Sequence, residues 1–155
     1  MPSLYYSKEL EFGRDREKMG FLMVDSCLML CSNYSYAGDS GGHMLEHEDL
    51  ENLRDVVCTN ETVTQMGNDQ YKWINETMKK WAKDEKMIWK ATVLHHPMWG
   101  KWYPDFSPIV DNYLPMLQEY KFDLYLNGHE HVMSHASYPY NQVPDPHMSE
   151  EDPLT

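Results

Sequence analysis

Positive charge is scarce in this chain. Thirteen lysines and arginines stand against 25 aspartates and glutamates, which leaves a formal net charge of −12 at pH 7. An acidic surface repels nucleic acid and anionic membranes, so neither is expected as a partner, and a phosphorylated ligand would need cations bound locally. Long apolar runs are missing as well. No stretch reaches the length needed to span a bilayer, and Met1-Pro2-Ser3-Leu4-Tyr5-Tyr6-Ser7-Lys8-Glu9-Leu10 has no continuous apolar core, so no signal peptide is expected at this start. Internal repeats and low-complexity tracts are absent. Cysteine is limited to Cys27, Cys31 and Cys58. Three thiols leave at least one unpaired. Along a strand Cys27 and Cys31 would stand roughly 13 Å apart, beyond disulfide reach, so either one of them meets Cys58 or each is a buried reduced thiol.

What is present suffices for a domain. The 155 residues are 41% apolar, enough for one soluble unit with a real core. Leu4 to Phe12 and Lys18 to Leu30 are apolar-rich runs around Gly13-Arg14-Asp15-Arg16-Glu17, the pattern of a β-hairpin with a polar turn. The second arm, Gly20-Phe21-Leu22-Met23-Val24-Asp25-Ser26, is nearly continuous in apolar residues, as a central strand would be. Asp25 reads as a strand-end carboxylate bonding nearby backbone groups. From Asn68 or Asp69 as a cap, Tyr71, Ile74, Met78 and Trp81 recur at helical spacing, with Lys72, Glu76, Lys79, Lys80 and Lys83 on the outer face. Asp84-Glu85-Lys86 closes that helix and leads into the strand Met87 to Leu94, a helix-then-strand unit of the α/β type. Ser107-Pro108 opens a further helical stretch, which Pro115 is expected to split in two before the strand Phe122 to Leu126. Val132 to Tyr138 is a candidate for one more strand. The tail from Gln142, rich in proline and acid, is expected to be disordered.

Histidines stand at the ends of two of these strands. Met87 to Leu94 runs into His95-His96-Pro97, and Phe122 to Leu126 runs into Asn127-Gly128-His129-Glu130-His131. In extended chain, residues i and i+2 point the same way, roughly 6–7 Å apart, so His129 and His131 can converge on one or two metal ions while Gly128 permits a sharp exit. Sites of α/β sheets lie just beyond strand ends, where both groups fall. Elsewhere, Gly38-Asp39-Ser40-Gly41 reads as a Gly-rich turn. His43 and His47, four apart, fall among Glu46, Glu48, Asp49 and Glu51 in what reads as a solvated acidic loop. Asn33-Tyr34-Ser35, Asn60-Glu61-Thr62 and Asn75-Glu76-Thr77 match the glycosylation sequon, a pattern that also arises by chance.

The order Gln70-Tyr71-Lys72-Trp73-Ile74, Val93-Leu94-His95-His96-Pro97-Met98-Trp99 and Leu126-Asn127-Gly128-His129-Glu130-His131 resembles the C-terminal half of purple, or tartrate-resistant, acid phosphatases, which are calcineurin-like metallophosphoesterases. The resemblance runs from about Tyr5 to about Val143. It implies a partial α/β metallophosphoesterase fold, a β-sheet sandwich flanked by helices, over residues 1–141, with 142–155 as a tail. It also implies hydrolysis of phosphate monoesters by a metal-bound hydroxide at a dinuclear centre of Fe(III) and a divalent iron, zinc or manganese ion. By the family's motifs His95 and His129 would bind the divalent metal and His131 the ferric one, which places all three along one edge of the sheet. The full-length protein would be a secreted or lysosomal/vacuolar glycoprotein.

This sequence also departs from the family pattern. The family's aspartates, tyrosine ligand and Gly-Asn-His motif should precede this region, and neither Asp39 nor Asn68 has the right neighbours. Gly100 to Asp105 lacks the proton-donating histidine often found there, which leaves His96, Tyr103 and Asp105 as candidates for proton donor or phosphate contact. The chain is therefore expected to be half of a catalytic domain, inactive alone and needing the N-terminal half to cover its sheet. The alternative is a non-catalytic, metal-binding or interaction remnant without the dinuclear centre.

Overall fold

Alternating polar and apolar residues near the start dictate a hairpin. The computed structural model describes residues 4–34, 36, 61–98, 107–129 and 131, and it opens with β1 (Tyr6–Phe12) antiparallel to β2 (Glu17–Met23). Gly13 and Arg16 take the left-handed conformation at the polar turn, with φ of 70° and 56°. The second arm stops short of the expected Ser26. Asp25 is instead an N-cap, its carboxylate accepting from the backbone N–H of Cys27 and Leu28, and the chain turns into helix α1 (Ser26–Leu30). An aspartate that satisfies two orphan amide donors outcompetes one more strand residue. The two nearby cysteines are thus one helical turn apart rather than spread along a strand. Cys31 is disulfide-bonded and Cys27 is a free thiol, while Cys58 lies outside the described residues.

Helix α2 (Glu61–Ala82) starts earlier than a cap at Asn68 or Asp69 would allow. Asn68 is interior to it and accepts from Ser32 Oγ while donating to Asn33. The expected inner face holds: Tyr71, Ile74, Met78 and Trp81 are all buried. Two glycines set how closely this helix seats. A Cβ on Gly67 would lie 2.2 Å from the backbone oxygen of Leu28, and one on Gly20 would lie 2.8 Å from the Trp81 ring. Two of the sequon asparagines hold structural bonds, Asn33 with Asn68 and Asn75 with the Tyr120 hydroxyl.

After α2 come β3 (Met87–Val93), α3 (Ser107–Glu119) and β4 (Leu124–Leu126). Pro115 does not divide α3, contrary to the sequence expectation. Ile109, Tyr113, Met116, Leu117 and Tyr120 form one buried face across it, and that burial outweighs the roughly 3 kcal/mol an interior proline costs a helix. The candidate strand at Val132 to Tyr138, the loop holding Asp39, His43 and His47, and the tail from Gln142 lie outside the described residues.

The four strands form one sheet in the order β1-β2-β3-β4, with β2, β3 and β4 parallel. Leu22 pairs with Thr92 and Thr92 with Tyr125, so these share a face. Trp81 of α2 packs on Gly20, and Tyr113 of α3 bonds Thr92 at 2.5 Å, so both helices cover that same face. On the reverse face the register aligns Tyr6 with Met23, Val93 and Leu126, and Leu10 with Met19 and Trp89. Tyr6, Leu10, Trp89 and Leu126 are each about half exposed, at 52%, 46%, 47% and 47%. Among the described residues, one sheet has helices on one side and an apolar, open reverse side, as one layer of a sandwich does.

Candidate metal centre

Parallel strands β3 and β4 end side by side, and their exits carry the histidines. Leu94 donates to Leu126 O, and Gly128 donates to His95 O at 3.0 Å, so the two exits are tied by backbone bonds. A Cβ on Gly128 would meet His95 at an ordinary 3.7 Å. The left-handed bend falls one residue later, on His129, with φ of 68°. For a residue other than glycine that conformation costs roughly 1–2 kcal/mol, so the surrounding structure must hold it.

The result is a triangle of imidazoles. Ring centroids lie 4.9 Å apart for His95 and His96, 5.0 Å for His95 and His129, and 4.8 Å for His96 and His129. His129 Nδ1 and His95 Nε2 lie 3.1 Å apart, within hydrogen-bond distance, and one ligand atom from each of the three histidines falls within 4.8 Å of the other two. His95 is exposed, His129 half-buried and His96 buried. A cleft of about 470 Å³ opens beside His95, with Leu4, Tyr6, Met23 and Leu126 among its walls.

His96 is fixed from behind. Its backbone N–H donates to Ser26 Oγ at 3.1 Å, its Nδ1 bonds the same oxygen at 2.7 Å, and the Tyr125 hydroxyl donates to its carbonyl at 2.7 Å. Ser26 is placed in turn by α2. The Gln70 amide accepts from Asp25 N–H and donates to Asp25 O, at 2.8 and 2.9 Å. Burial pushes the Tyr125 and Tyr113 hydroxyls far above the usual tyrosine range, so both are neutral near pH 7.

Of the expected metal ligands, the structure brings His95 and His129 together. His131 is exposed and stands outside the histidine group among the described residues. Tyr103 and Asp105 lie outside the described residues. Ser26 and Gln70 carried no signal in sequence, since neither belongs to a motif, and only the fold brings them to His96.

The calcineurin-like phosphoesterase family matches residues 6–133, most of the chain. This chain belongs to that family. Members are metal-dependent and act on phosphate esters. Among curated relatives, purple acid phosphatase 17 of Arabidopsis thaliana is 39% identical over 56 residues, 36% of this chain and 17% of that protein. Purple acid phosphatase 7 of the same plant is 39% identical over 54 residues, 34% of this chain and 16% of that protein. Among solved structures, GAP50, described as the anchor in the inner membrane complex of Plasmodium, superposes with a TM-score of 0.54 at 15% identity. That match covers 83% of this chain and 32% of GAP50, and it speaks to the fold. Each matched region is thus a third or less of its relative's length.

The donor set fits part of the metal centre a phosphoesterase of this family needs. Neutral imidazoles suit a divalent transition ion, and three converge here. A ferric ion wants anionic oxygen, and no carboxylate joins the group among the described residues.

Proposed function

We propose that this chain carries the histidine half of an acid-phosphatase-type active site, which hydrolyses phosphate monoesters once the remainder of the family domain supplies anionic ligands. The observation that carries this is the coupling of His95 to His129 at 3.1 Å, across the adjoining ends of two parallel strands, in a chain of this family. His95 and His129 would hold the divalent ion, and His131 would face the ferric one. Such ions, when bound, polarise a phosphoryl oxygen and acidify a water. The chain's own residues position these imidazoles, through the backbone bonds that tie the two strand exits. Tyr103 and Asp105 remain candidates for phosphate contact or proton donation, and so does His96 where it holds no ion. The disulfide at Cys31 and the sequons support a secreted or vacuolar location for the whole protein.

The alternative, a metal-binding or interaction remnant without catalysis, draws on one observation: the histidine group contains no anionic ligand among the described residues. An assay of p-nitrophenyl phosphate hydrolysis with iron and zinc supplied separates the two. The chain alone should turn over little or nothing, because two cations about 4 Å apart repel by several kcal/mol even at moderate effective dielectric and neutral imidazoles cannot offset that. The form carrying the rest of the family domain should turn over. Failure of that longer form with both metals loaded would leave the remnant reading, and full turnover by the chain alone would overturn the half-site reading.

A further inference from the structure

We propose that His96 is itself a metal ligand, the third imidazole of a single-ion site that His95 and His129 complete within this chain. The spacing favours it. Zinc bonds nitrogen at about 2.0–2.1 Å, so the donors of a tetrahedral site stand about 3.3 Å from one another. The His95–His129 pair already sits at 3.1 Å, and all three donors fall within 4.8 Å, a gap that small ring rotations close.

The chemistry of His96 favours it too. Ser26 Oγ accepts the His96 backbone N–H, and its second lone pair suits an N–H at Nδ1. With Nδ1 protonated toward Ser26 Oγ, Nε2 presents the lone pair a metal ligand needs, and the ring is aimed by an outer partner as metal-bound histidines are. The residue is 2% exposed and is fixed by Ser26 and Tyr125, so little side-chain entropy remains to be lost on binding. The positive φ of His129 is strain kept at the point where its ring meets the other two. Neutral nitrogen donors select zinc, cobalt or copper over magnesium or calcium. The inference rests on His95 and His129 holding an ion, as proposed above, and not on the reaction.

The test is metal binding by the whole chain after chelator treatment, with zinc titrated in competition with a chromophoric chelator. His96→Asn keeps a polar atom opposite Ser26 and removes Nε2. One ion should bind per chain, and His96→Asn should weaken it at least about tenfold, the smallest loss typical of removing even an outer partner of a metal-bound histidine. His43→Ala should leave this affinity unchanged. Copper loaded in place of zinc and observed by pulsed electron paramagnetic resonance should report three imidazoles in the unmodified chain. That count decides the matter even if His96→Asn fails to fold: two imidazoles would overturn the inference. Wild-type affinity in His96→Asn beside loss in His95→Ala and His129→Ala would remove His96 alone and leave the phosphoesterase reading intact. Unchanged binding in His95→Ala and His129→Ala would overturn both.

Discussion

Glu9 shows how much of a single side chain's role depends on partners distant in sequence. Its carboxylate takes bonds from the Lys80 ammonium and the Trp81 indole N–H, both at 2.9 Å, and these hold its pKa below the ordinary carboxylate value of 4.5. A depressed carboxyl stabilises the fold above its unfolded pKa and loses that contribution as pH falls from about 4.5 downward. Glu9→Gln keeps an acceptor for Trp81 and removes the charge. Urea unfolding should place the variant no more than about 1 kcal/mol below wild type at pH 7, with the gap closing in acid. A gap that persists once the carboxyl is protonated would contradict this account. At the same scale, the sequence disclosed identities better than partners. Tyr71, Ile74, Met78 and Trp81 were readable as core because helical period alone selects them. His96 was readable only as a neighbour of His95: adjacent residues on a strand face opposite ways, so a doublet argues against convergence. Here the strand ends at Val93 and the bend that follows turns both rings to one side.

Among the elements, α3 shows local rules yielding to burial. Its C-terminus is a Schellman turn, with Lys121 N–H bonding Gln118 O and Phe122 N–H bonding Leu117 O. The position that favours glycine holds Lys121, at φ 53°. Lys121→Gly should therefore stabilise the protein by up to about 1 kcal/mol, an unusual sign for glycine, read from the denaturant midpoint. A lower midpoint would mean the lysine side chain contributes more than its backbone costs. The hairpin, the inner face of α2 and strands β3 and β4 follow from periodicity and turn residues. The early start of α2 and the short helix after Asp25 do not. Asn68 looks like a cap in one dimension, yet it lies inside the helix beside Gly67, which passes close against Leu28 O.

At the scale of the whole molecule, the open reverse face of the sheet and the histidine triangle are two consequences of one arrangement. Helices cover one face, the strand ends present imidazoles, and the apolar side bearing Tyr6, Leu10, Trp89 and Leu126 suits a second layer. The chain spans a third or less of the length of each relative it matches. The charge balance bears on the proposed reading as well: on an acidic molecule a phosphate ester would need cations bound beside it, so the proposed metal centre would serve substrate approach as well as chemistry. Metal content of the form that carries the rest of the family domain tests this most directly. The account predicts two ions per chain in that form, one fewer in His129→Ala with phosphatase turnover lost, and no change in His43→Ala. Two retained ions and full turnover in His129→Ala, or equal metal loss in the two variants, would contradict it.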